Sequence, residues 1–158
     1  MFGLSRLTDP TWLITMGILF LTSMPIHEFA HAWAAFQLGD DTAARRGRLT
    51  INPLAHLDPL GTISLLLVGY GWGKPVPVVP SRLRGSRRTS WMLVSVAGPF
   101  SNFILAMLAA IPFRMGWVGL AASSSISVAA ILIQFIGINL ALMVFNPVSY
   151  THLTLPTN

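Results

Sequence analysis

Between Trp12 and Leu38 the sequence carries no ionisable side chain except His27, Glu28 and His31, and the stretches Trp91–Phe113 and Met115–Asn146 carry none at all. A helix crossing a hydrocarbon core of about 30 Å needs about 20 predominantly apolar residues, so each stretch is long enough to span a bilayer. Charged residues make up only 9% of the chain, against about 25% in an ordinary soluble domain. The expected fold class is an all-α membrane protein, integral and multi-pass, with three transmembrane helices and a short re-entrant or extended interfacial segment.

The net charge of +5 is concentrated in two clusters, Arg45, Arg46 and Arg48, then Lys74, Arg82, Arg84, Arg87 and Arg88. Beside apolar spans such clusters mark cytoplasmic loops more often than nucleic-acid surfaces. The expected surroundings are therefore a lipid bilayer and no nucleic acid. Asp9 and Pro10 precede the first apolar run, and that run holds the most reactive residues of the chain, which argues against a cleaved signal peptide. Cysteine is absent, so neither a disulfide framework nor a thiolate metal site is available.

The first span is expected from about Trp12 to Leu38, with Thr8 or Asp9 as N-cap, Pro10 early in the helix, and a kink or local break at Pro25. Freed backbone groups in lipid must be satisfied by protein or water, so a kink two residues before His27 implies a packed, partly wet site. Gly39–Pro59 reads as a polar connector. Leu60–Tyr70 is apolar but about half the length of a span, which favours a re-entrant segment. In Gly71–Pro80 the prolines at 75 and 77 favour an extended edge strand or polyproline conformation. Ser81–Ser90 reads as a basic loop, Trp91 to about Pro112 as the second span, Gly116–Ser125 as a turn region and Ile126–Asn146 as the third span. With Leu60–Tyr70 re-entrant, both basic clusters fall on one side of the membrane, as the positive-inside rule requires.

Within the first span, His27-Glu28-Phe29-Ala30-His31 has the H-E-x-x-H pattern. Residues four apart project from one face of a helix. Two imidazoles so placed can bind one zinc ion (Zn2+), with Glu28 beside it as general base for water. The motif alone is short, but its setting is informative. Glu28 is the sole glutamate of the chain, and ionisable residues inside a span cost about 2.5–3.5 kcal/mol each on insertion scales. His27 and His31 are thus the expected metal ligands. A catalytic zinc usually has three protein ligands and a water. None of the remaining candidates, His56, His152, Asp9, Asp40, Asp41 and Asp58, lies in a later span, so a third ligand is not evident.

With these residues in view, the chain resembles the site-two proteases, zinc metalloproteases that cut substrates within the membrane, in their small bacterial branch. The resemblance rests on H-E-x-x-H at 27–31, I-N-P-L-A-H-L-D-P-L-G-T at 51–62, G-W-G-K-P-V-P-V at 71–78 and A-G-P-F-S-N at 97–102, in that order. It covers nearly everything from Met24 to Asn146. It implies a bacterial plasma-membrane location, a membrane-protein substrate, and a catalytic assisting role for Asn102 in positioning substrate or stabilising the oxyanion. It also implies that 74–78 holds unwound substrate by strand addition. His56 and Asp58 belong to the pattern without an assigned role, and Asp58-Pro59 suits a turn.

The chain departs from the family at two places. The interval from Asp41 to Lys74 is too short for a PDZ module. The family's third zinc ligand, an aspartate after the start of the last core span, has no counterpart past Phe145-Asn146. Residues 1–146 are accordingly read as an incomplete metalloprotease core and 147–158 as a non-native tail. Val148–Thr157 has the sequence that a common transposase sequencing adapter encodes. The chain as it stands is expected to be inactive for lack of that ligand. The rival reading is a non-catalytic membrane protein that binds or transports metal. A transporter would be expected to show repeated halves and acidic residues in several spans, and the sequence has neither.

Overall fold

A computed structural model describes residues 8–68, 73–119 and 126–153, with side chains left undescribed at 65–68 and 146–153. Seven helices are assigned among the described residues: α1 (Pro10–Leu21), α2 (Ser23–Gln37), α3 (Thr42–Arg45), α4 (Pro53–His56), α5 (Pro59–Val68), α6 (Arg87–Arg114) and α7 (Val128–Leu153). Three helical stretches are long and apolar enough to cross a membrane: Pro10–Gln37, Arg87–Arg114 and Val128–Phe145. The fold is therefore all-α and of membrane type.

Asp9 caps α1, accepting a hydrogen bond from Thr11 N at 2.9 Å, with Pro10 in the first turn. The first span is broken at Thr22 (φ −123°, ψ −67°), three residues ahead of Pro25. Pro25 has no N–H for the Leu21 carbonyl, and its ring crowds that carbonyl. The break therefore falls one turn before the proline. Thr22 spans it by donating both its backbone N–H and its hydroxyl to Ile18 O, at 2.9 and 2.7 Å.

The connector is more structured than its breakers suggest. Asn52 caps α4 through Leu54 N, and Asp58 accepts from Gly61 N at 2.9 Å at the start of α5. α5 has 10 residues, about 15 Å at 1.5 Å per residue, half a bilayer core. Its expected extension to Tyr70, and Gly71–Trp72, lie outside the described residues.

Gly73–Val79 is not helical, but no strand forms among the described residues. The sole ladder element is one antiparallel bridge between Leu57 and Gly73. Prolines at 75 and 77 remove alternate donors, so a ladder cannot propagate. A 3-10 turn at Pro80–Arg82 follows. α6 begins at Arg87 with Ser86 as its N-cap, so the basic loop is shorter than expected and its last residues form the first helical turn. Val148–Leu153 continues α7 as backbone, and the rest of the tail lies outside the described residues.

The first two spans bury stripes of residues four apart. α1 buries Thr11, Thr15 and Leu19. α2 buries Ser23, His27, His31 and Ala35, and α6 buries Ser90, Val94, Gly98, Asn102 and Ala106. Large apolar side chains point outward instead, among them Leu21, Met92, Phe100, Met107 and Val144. Polar and small residues inside with apolar ones outside is the pattern of a bundle packed in lipid, where small residues let helix backbones approach closely.

Candidate metal centre

The stripes of α2 and α6 meet at the histidines. His27 Nε2 and His31 Nε2 lie 3.0 Å apart, with ring centroids 4.7 Å apart and the planes at 81°. Two nitrogens in a tetrahedral zinc shell, each about 2.0–2.1 Å from the metal, are separated by about 3.3 Å. The pair is thus within a few tenths of an ångström of chelating spacing.

The far side of each ring is held by α6. His31 Nδ1 lies 2.7 Å from the Val94 carbonyl. A carbonyl can only accept, so Nδ1 carries the proton and Nε2 keeps its lone pair, the tautomer a metal ligand needs. Pro99 has no N–H for Ser95 O, which loosens the α6 ladder at this level. His27 Nδ1 lies 3.0 Å from Asn102 Nδ2, and the Asn102 Oδ1 atom is buried with no hydrogen-bond partner. In this orientation the amide donates to Nδ1, and His27 Nε2–H can donate to His31 Nε2. Turning the amide over presents Oδ1 to Nδ1–H and frees His27 Nε2 for metal. The orphaned oxygen is the atom that metal ligation by His27 would use, so these residues fit a zinc ion.

Gly98 completes the fit. A Cβ there would lie 2.6 Å from His27 Nε2 and closer still to His31 Nε2, so only glycine lets α6 approach the pair. Glu28 lies beside it, with Oε2 accepting from Val76 N at 3.0 Å. A cavity of about 100 Å³ is lined by Glu28, His31, Val76, Trp91 and Val94 among others, enough for a few water molecules.

The structure brings His27, Glu28, His31 and Asn102 together, with Asn102 against the back of His27 and not among the residues lining the cavity. His56 stands apart, fully buried with Nε2 2.7 Å from Thr50 O, and its own carbonyl accepts from Lys74 N. Among the described residues no group of three or more His, Cys, Asp or Glu could hold a metal. His27 and His31 are therefore two candidate ligands, without a third beside them among the described residues. Gly98, the Val94 carbonyl and the Val76 N–H were not singled out from sequence. Gly98 had a signal, since it lies one helical turn before Asn102 on the same small-residue stripe.

The fold and site define a membrane-type helical bundle with a zinc-protease motif buried between two spans. The chain is similar to bacterial proteins named as candidate zinc metalloproteases. It is 50% identical to YwhC of Bacillus subtilis over 91 residues, covering 58% of this chain and 41% of that protein. It is 37% identical to Rip2 of Mycolicibacterium smegmatis over 91 residues, 56% of this chain and 35% of the relative. Rip2 of Mycobacterium tuberculosis is 39% identical over 94 residues, again 56% of this chain and 35% of the relative. The chain thus spans less than half the length of these relatives. No protein-family profile matches it, and no solved structure does.

Proposed function

We propose that this chain carries the catalytic helix of a site-two-type zinc metalloprotease, which hydrolyses peptide bonds of membrane proteins in the bacterial plasma membrane. The observation that carries the reading is the convergence of two imidazole Nε2 atoms, 3.0 Å apart, with Glu28 beside a small cavity inside a bundle whose outer surface is apolar. Zinc supplies Lewis acidity toward water and toward a peptide carbonyl when bound.

His27 and His31 hold the ion, Val94 O and Asn102 hold the two rings, and Gly98 leaves the volume open. Glu28 keeps Oε2 on Val76 N–H and has Oε1 available. It takes a proton from water as the water oxygen attacks the scissile carbonyl, then returns that proton to the leaving amide nitrogen. The Lys74–Val79 segment borders the cavity, and its Val78 N–H has no partner among the described residues. An extended substrate could bond there, which favours a chain already unwound from its helix. With only these two ligands among the described residues, zinc binding by this chain alone is expected to be weak.

Substituting Glu28→Gln in the full-length protein, with cleavage of a membrane-protein substrate as readout, tests the reading. Cleavage should fall by at least about a hundredfold, the lower range for a general base, with zinc retained. Unchanged cleavage would leave a non-catalytic metal-binding protein as the better account.

A further inference from the structure

Apart from the histidines, one carboxylate among the described residues is fully buried. Asp40 follows α2 and is fully buried. Its Oδ1 accepts from Thr42 N at 3.0 Å and from the Thr42 hydroxyl. Its Oδ2 accepts from Val79 N at 2.6 Å, across 39 positions of sequence. Nearby, Leu38 O accepts from Arg84 N at 2.7 Å, and Gly39 (φ +102°) lies tight under the Arg84 side chain. Val79 and Arg84, on the way into α6, are therefore both fastened to the C-terminal end of α2 and the turn after it.

The segment has few donors to spare, because Pro75, Pro77 and Pro80 have none. Lys74 N goes to His56 O, Val76 N to Glu28 Oε2 and Val79 N to Asp40 Oδ2. Two of these three bonds end on carboxylates borne by α2 and its C-terminal turn, twelve residues apart along the chain. Glu28 itself has one partner in the segment, a backbone N–H whose position depends on where the segment is held.

We propose that Asp40 is a positioning residue for Glu28: it clamps the segment at Val79 so that Val76 N–H faces the Glu28 carboxylate. Catalytic consequences rest on the protease reading; the clamp does not. Asp40→Asn keeps an acceptor for Thr42 but presents an NH2 group to Val79 N–H, donor against donor. Hydrogen exchange of the protein in detergent or nanodiscs reads the result directly. In Asp40→Asn the Val76 amide should exchange at least tenfold faster, along with Val79, while the His27–Ala35 amides of α2 keep their protection. Acceleration at Val79 alone, with Val76 unchanged, would overturn the proposal and leave Asp40 as a local cap for Thr42.

Where Asp40→Asn lowers protection throughout α2, Val79→Pro decides in the same way, since it deletes the donor and leaves the carboxylate. In the full-length protein, Asp40→Asn should lower kcat about tenfold at unchanged zinc content; parallel loss of zinc would mean general damage instead of positioning. Failure of Glu28→Gln to affect cleavage would remove the protease reading yet leave the exchange result standing.

Discussion

An alanine at position 98 would put its Cβ 2.6 Å from His27 Nε2 and against His31 Nε2, in the volume that a shared ion would occupy. Alanine is the better helix former, so α6 has no local reason to unwind, and the loss should fall on the metal. Gly98→Ala is expected to weaken zinc at least tenfold in a competitive chelator titration; unchanged affinity would place the ion elsewhere. Asn102 lies behind His27. Partners that orient metal-bound histidines are worth about 10–100-fold in affinity, so Asn102→Ala should lose that much in the same titration. Asn102→Asp, which keeps an acceptor for Nδ1–H, should retain most of it. Equal behaviour of the two variants would reduce Asn102 to a helix-packing residue.

At the scale of elements, the segment between Gly73 and Pro80 is held by carboxylates, and one of them lies outside the spans. Burial works to raise the Asp40 carboxyl, but hydrogen bonds from the Thr42 hydroxyl, Val79 N–H and Thr42 N–H, with Arg82 nearby, outweigh it and hold the group below the usual carboxylate range. A group whose folded pKa is depressed contributes its stability in full above its unfolded value and loses it as pH falls through the folded one. Exchange at Val79, corrected for intrinsic rate, should therefore be level above about pH 5 and rise only in stronger acid. A rise near neutral pH would assign the clamp to another group. The His27–His31 pair and its helix were legible in sequence because an i, i+4 spacing of ionisable residues inside an apolar run needs no tertiary information. Asp40 was not, because an aspartate in a polar connector looks the same whether it is solvated or bonded to a residue 39 positions away. The short helices α3 and α4 were hidden for a similar reason, their caps lying among many Gly and Pro breakers. Pro25 was read as causing a kink or a local break; the structure has the break, placed a turn earlier at Thr22, where the missing N–H is felt.

For the whole molecule, the buried polar stripes and the apolar exterior fix what is inside but not which way the bundle faces. A re-entrant α5 requires Arg46 and Arg87 to share a side of the membrane. Single cysteines at those positions should be labelled by an impermeant reagent from the same face; opposite accessibility would mean that the 60–70 region crosses the bilayer. Central to the proposed function is one zinc ion bound by His27 and His31 through Nε2. X-ray absorption at the zinc edge of the purified protein tests this most directly. The expected spectrum shows imidazole scattering from two histidines at about 2.0–2.1 Å, lost together with bound zinc in a His27→Ala, His31→Ala variant that stays folded. Zinc retained by that variant with an unchanged spectrum would contradict it.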